Sequence, residues 1–315
     1  MTDPDHHDAD STTPPESKEP TMNDTITDTI TSDDAIITET GVTSTAASTP
    51  TRSDRRVASG KKVTTWSVIR GEWIKFWSVR STSFTLVAAG IATVAFGMIF
   101  SAVADSDDAA GPAALVTSPV ELALSGIGIT ELIVGVLGVM IVAGEYSTGL
   151  IRTWFAAAGN RWRLIGAKVA VLASSVFAMG LVSSTLAIVA GQAVYAGSES
   201  TVPLSETWDV ILGTSVYLVG IALIGVAFGF LLRSTAAGIA TLVGGVIIGP
   251  NLLNLLPDSI TDVFMKYLPN FAGDAMMTQV ADPDLLSTGA AYGVFAAWVI
   301  GLLVLAGVMV RRRDA

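Results

Sequence analysis

The chain contains no cysteine, which excludes disulfides, thiol chemistry and a lipid anchor on Cys. It has two histidines, His6 and His7, both in the first ten residues. That leaves no His/Cys set for a metal and no Ser-His-Asp arrangement in the rest of the chain. The pair itself reads as a solvated dipeptide. A Gly-x-x-x-x-Gly-Lys-Ser/Thr phosphate loop is also missing, since Ser59-Gly60-Lys61-Lys62 lacks the spacing and the hydroxyl. The chain is therefore not expected to be an enzyme or to hydrolyse ATP by itself. No cofactor is expected on it; ATP and Mg would sit on a partner subunit. No long apolar run precedes Phe84, too late for a signal peptide.

What is present is apolar surface. Half of the 315 residues are hydrophobic and the mean hydropathy is +0.58, too high for an ordinary soluble domain. The net charge of −10 is unevenly spread. Residues 1–50 carry eleven Asp and Glu against one cation, Lys18. With many Thr, Ser and Pro, this segment buries too little apolar surface to offset its ordering entropy, which predicts disorder. Arg52, Arg55, Arg56, Lys61 and Lys62 then reverse the sign. They read as a juxtamembrane cluster facing anionic lipid, not as a nucleic-acid site. The expected organisation is an acidic Thr/Ser-rich cytoplasmic tail over 1–60, ending in that basic cluster, and a six-span membrane domain over 66–313.

A spanning helix needs about 20 mostly apolar residues. Six segments qualify, over 83–104, 120–143, 164–190, 209–232, 235–256 and 289–310. The predicted fold class is an all-α integral membrane protein. Its connections alternate in charge. Residues 105–119 carry Asp105, Asp107 and Asp108 and no cation, while 144–163 carry Arg152, Arg161 and Arg163, with Lys168 just beyond. Residues 191–208 carry Glu199 and Glu206, the turn at 233–234 carries Arg233, and 257–288 carries five Asp and one Lys, Lys266. The chain closes on Arg311-Arg312-Arg313. Except for Lys266, the cations beyond the tail fall on one side. The positive-inside rule makes that side cytoplasmic, with both termini there. Location in the cytoplasmic membrane follows.

Ahead of the first span, Trp66, Ile69, Trp73, Phe76 and Trp77 share one helical face, with Arg70 and Lys75 off it. This predicts an interfacial connector helix in the headgroup layer. Within the spans, Glu131 is the costly residue: a carboxylate at mid-membrane costs about 2.5–3.5 kcal/mol on insertion scales. It either lines a substrate or proton path or is hydrogen-bonded structurally. Gly249-Pro250-Asn251 interrupts the fifth span, with Asn251 and Asn254 able to satisfy freed backbone groups. Gly225-x-x-x-Gly229 and Gly245-x-x-x-Gly249 fit close helix packing, within one bundle or between subunits. Ile260, Val263, Phe264, Tyr267 and Leu268 form an apolar face that ends at Pro269 and predicts a short outer-leaflet helix.

The 144–168 segment stands apart, because a simple turn between spans needs no cationic amphipathic helix. Ile151, Trp154, Phe155 and Ala158 fall on one face and Arg152 on another. Ser147 or Thr148 is positioned to cap the start, and Gly159-Asn160 to end it.

Gly144-Glu145-Tyr146-Ser147-Thr148-Gly149-Leu150-Ile151-Arg152 resembles the permease subunits of type 2 ABC exporters. There, an acid at the end of the second span precedes a Gly-containing turn, a short helix and a basic segment leading to Lys. The matching positions here are Glu145, Gly149, Arg161 or Arg163, and Lys168. The segment from Arg70 to Thr82, with Glu72-Trp73-x-Lys75 and Val79-Arg80-Ser81-Thr82, is similar to the connector helix of actinobacterial members. Tyr267-Leu-Pro-Asn-Phe-Ala-Gly273 is similar to a late external segment. Gly159-Asn160 stands where members often have Pro, and the acidic tail lies outside the pattern. The resemblance implies a coupling helix that docks on a separate ATPase subunit through Ile151, Trp154 and Phe155. Glu145 would pair with Arg152 or with a basic connector residue. It also implies a second permease copy, identical or related, embedded with it in the bilayer. A proton-coupled secondary transporter using Glu131, or a non-transporting scaffold or immunity protein, are the other readings.

The missing cysteines give a clean background for the topology. A membrane-impermeant maleimide is expected to label Asp107→Cys in intact cells and Asp314→Cys only after lysis; the reverse order would invert the assignment.

Overall fold

The computed structural model describes residues 64–104, 118–150, 161–195, 202–253, 264–279 and 285–313, all within the unit Gly60–Ala315. The tail expected over 1–60 and the loop residues 151–160 lie outside them. The described residues are almost all helical, with no strand among them. Five helices are long and apolar enough to cross a membrane.

The elements are α1 (Thr65–Ser78), α2 (Arg80–Ala104), α3 (Pro119–Leu124), α4 (Ile127–Ser147), α5 (Arg161–Val194) and α6 (Trp208–Leu232). After these come α7 (Thr235–Thr241), a π-helical run (Leu242–Ile248), α8 (Gly249–Leu253), α9 (Pro269–Met277) and α10 (Thr288–Arg313). The fifth expected span corresponds to the composite of α7, the π run and α8, which is shorter and broken. Pro250 lacks a donor, and its ring would clash with the carbonyl four residues back in a regular helix. The wider π turn just before it shifts that carbonyl out of register. The interruption predicted at Gly249-Pro250 thus takes the form of a π-helical segment.

Helix α6 is the core. It is apolar around its whole circumference, and Val210, Ile211, Leu218, Ile221, Ile224 and Phe230 are all buried. It packs against α4, α5 and α10, while α2 packs on α5 and α4. Gly225 belongs to this packing: a Cβ there would lie 2.2 Å from the Gly135 carbonyl oxygen of α4. Gly229 sits similarly against Val142. The first Gly-x-x-x-Gly pair therefore joins helices of one bundle. Gly245, by contrast, has nothing within 4 Å of its Cβ position.

The second apolar segment is not one uniform helix. It breaks at Ser125-Gly126, where α2 comes so close that a Cβ on Gly126 would lie 2.4 Å from the Thr93 carbonyl oxygen. One turn on, the buried Thr93 and Thr130 hydroxyls are 2.7 Å apart, and Thr130 also reaches the Ala89 carbonyl at 3.2 Å. The buried hydroxyls are thereby satisfied without water.

Past α8, most of the short helix expected before Pro269 lies outside the described residues, and Pro269 itself begins a helix. It occupies the first turn of α9, where a missing N–H costs nothing. Before it, Phe264 and Tyr267 are exposed around the short 3-10 turn Met265–Tyr267, and Ile260 and Val263 lie outside the described residues.

Gly225→Ala is expected to destabilise the protein by about 1–3 kcal/mol in detergent unfolding, because backbone stands in the way. Gly293→Ala on α10, with open space around it, should change stability by less than about 0.5 kcal/mol. Equal effects would contradict the packing of α6 on α4.

Candidate functional site

Helix α1 starts at Thr64, whose Oγ1 accepts the Ser67 N–H at 3.3 Å. Its inward face holds Ile69, Glu72 and Phe76; Trp66, Trp73 and Trp77 are exposed. The five-residue stripe read from the sequence is therefore split. Ile69 and Phe76 pack inward and the tryptophans face out. The packed face is turned about 60° from the stripe's centre, toward Glu72. A charged residue on that face carries no hydrophobic signal, so periodicity alone passes over it.

Glu72 meets a lysine. Lys168 in the first turns of α5 has a side chain only 1% exposed, and its Nζ donates to Glu72 Oε2 at 2.9 Å and to Glu145 Oε1 at 2.6 Å. Lys75 of α1 donates to the same Glu145 Oε1. Two lysines and two glutamates, formally neutral together, thus join α1, α4 and α5. Burial and the nearby Lys168 ammonium pull the Lys75 amine down to about 8, against the attraction of Glu72. Glu145 Oε2 is buried and has no hydrogen-bond partner among the described residues.

The chain leaves α4 just beyond this cluster. The Ser147 and Thr148 hydroxyls donate to the Gly144 carbonyl at 2.9 and 3.0 Å, and Gly149 turns at φ +71°. These two residues therefore finish α4; the helix they were expected to cap lies over 151–160, outside the described residues. The same Gly144 carbonyl also accepts the Thr148 backbone N–H at 3.3 Å, so three donors converge on the end of α4. Tyr146 lies under Arg233, whose guanidinium carbon is 5.1 Å from the ring centroid, and packs edge-on to Phe230. Arg233 itself ends α6 in a left-handed conformation at φ 53°.

A cavity of about 450 Å³ adjoins the cluster, walled by Phe76, Val136, Met140 and Leu172 and edged by Glu72, Lys75, Glu145 and Lys168. Of the residues expected to couple to a partner, Glu145 and Lys168 are in the cluster and Arg163 is exposed at the start of α5. Ile151, Arg152, Trp154 and Phe155, and the Arg161 side chain, lie outside the described residues. So do Asn254 and the side chain of Asn251.

A second polar site lies toward the other end of α4. Glu131 is 14 residues before Glu145, about 21 Å along the helix axis. Glu131 is 8% exposed, and the Tyr217 hydroxyl donates to its Oε2. The Tyr217 ring is held against Phe295 at 5.4 Å between centroids. On another side it abuts Gly273 of α9, where a Cβ would lie 2.2 Å from the ring. Tyr217 was not selectable from sequence, since an apolar helix uses Tyr freely. Gly273, at the end of the Tyr267–Gly273 segment, was the nearest signal.

Lys168→Met should lower unfolding stability by about 3–5 kcal/mol, because it strands Glu72 and Glu145 in a buried setting. Adding Glu72→Gln and Glu145→Gln to it is expected to recover part of that loss in the same detergent unfolding assay. No recovery would mean that the charges are not mutually compensating. No family model, curated protein or solved structure matches the chain, and its function is read from the residues themselves.

Proposed function

We propose that the chain is the membrane-spanning permease subunit of an ATP-binding cassette exporter. The observation that carries this reading is Lys168 between Glu72 and Glu145. A mostly apolar loop bearing Arg152, residues 149–160, connects two helices that each carry a member of one buried charge cluster, Glu145 on α4 and Lys168 on α5. The cluster's third element, α1, precedes the first long helix. A partner that pushes on the loop through Ile151, Trp154 and Phe155 moves α4, α5 and α1 as one unit. The alternative of three independent helices would leave buried charges unpaired, at several kcal/mol each.

In this reading five long helices and the composite 235–253 segment make six spans, and both termini face the cytoplasm. Helix α1 lies in the inner headgroup layer with Trp66, Trp73 and Trp77 toward lipid. The ATPase is a separate subunit bearing ATP and Mg, and a second permease copy completes the path. ATP binding shifts the bundle between inward- and outward-facing states. The proton-coupled alternative rests on Glu131 and Tyr217; under it, transport follows the pH gradient and not ATP.

The test is whether a soluble ATPase is encoded beside this chain and co-purifies with it, before and after Trp154→Asp with Arg152→Glu. The pair of changes is expected to abolish association while leaving the thermal unfolding of the chain unchanged. Equal recovery of the ATPase would remove the docking assignment.

A further inference from the structure

The cavity beside Glu131 is not needed for coupling to an ATPase, and its chemistry is one-sided. It measures about 400 Å³ and is lined by Glu121, Glu131 and Asp274, with no Lys or Arg on its walls among the described residues. That volume falls in the range of about 300–1,000 Å³ usual for small-molecule pockets. Leu124, Ile127, Phe271 and Met277 supply apolar wall. One oxygen of Glu131 takes the Tyr217 hydroxyl, and Glu131 itself is more than nine-tenths buried.

A further observation specifies the missing partner. Asn270, on α9, lines the same cavity, and its Oδ1 is buried with no hydrogen-bond partner among the described residues. A buried acceptor left unpaired is costly, so a donor at this point is favoured. Carboxylates and an amide oxygen are all acceptors, so the complementary ligand is a donor and a cation. Among the described residues no three acidic or His side chains are grouped closely enough to hold a metal ion. The carboxyls are spread along the wall, which suits an organic cation with an apolar body.

We propose that this cavity binds a primary or secondary ammonium compound with an apolar flank. The ammonium would sit between Glu131 and the Asn270 amide oxygen, with the apolar flank against Phe271 and Met277. As the class of cargo it rests on the exporter reading; as a binding site it does not.

The probe is phenethylammonium, with 2-phenylethanol as its uncharged counterpart, titrated by calorimetry into the full chain purified in neutral detergent at neutral pH. Saturable binding of the ammonium and none of the alcohol is expected. Glu131→Gln should weaken binding about tenfold or more, the loss of one charge-assisted hydrogen bond. Asn270→Leu should weaken it as well. Should Glu131→Gln fail to fold, Asp274→Asn at the exposed rim is expected to weaken binding measurably with normal unfolding. Absence of saturable binding, equal binding of the alcohol, or unchanged binding in folded Glu131→Gln or Asp274→Asn would overturn the proposal. Any of these results leaves ATPase co-purification as it was, and loss of ATPase association leaves the calorimetry unchanged.

Discussion

A lysine ammonium with almost no solvent contact fixes the arrangement of three helices. Lys168 needs anionic partners because an unpaired buried charge costs several kcal/mol. It finds them on two elements distant in sequence, Glu72 on α1 and Glu145 on α4. Apolar packing between helices in a bilayer is weakly directional, since lipid tails compete for the same surfaces. The charge cluster is directional. It sets the rotation of α1 so that Glu72 and Phe76 face inward, and this leaves three tryptophans outward. It also fixes the point where α4 gives way to the loop.

The rest of the bundle is held by different means. Helix α6 approaches α4 closely because Gly225 and Gly138 leave backbone against backbone, Gly225 on the Gly135 carbonyl and Gly138 on the Ala222 carbonyl. The α3–α4 break is fitted to α2 through Gly126 and the Thr93–Thr130 hydroxyl pair. These contacts join the two ends of α4, about 21 Å apart between Glu131 and Glu145. One helix therefore carries a polar site at each end. In the proposed function, the Glu145 end receives force and the Glu131 end meets cargo.

Much of this was legible in the sequence because length, hydropathy and charge alternation report directly on helices of membrane length. Five of the six expected segments became long apolar helices. The fifth did not, because Pro250 demanded a local π-helical run that hydropathy cannot register. Amphipathic periodicity locates apolar residues, and the packed face of α1 instead centres near a carboxylate. Glu72 was visible only inside the Glu72-Trp73-x-Lys75 pattern. Two partners were open for Glu145, Arg152 or a basic residue of the connector; Lys75 of α1 donates to it, while Arg152 lies outside the described residues. That Lys168 would bridge both glutamates was not, since partners 96 and 23 residues away have no local signature. Glu131 stood out by its cost, whereas Tyr217 and Asn270 were silent because neither is unusual where it occurs.

The most direct measurement is a double-mutant cycle between Glu72→Gln and Lys168→Met, read as unfolding free energy in detergent. Removing either partner of a true buried pair leaves little for the second change to remove. The two effects are therefore expected to be non-additive by about 1–3 kcal/mol. Additivity within about 0.5 kcal/mol would show that Lys168 does not hold α1 to the bundle, and the proposed transmission from the loop would have no physical basis.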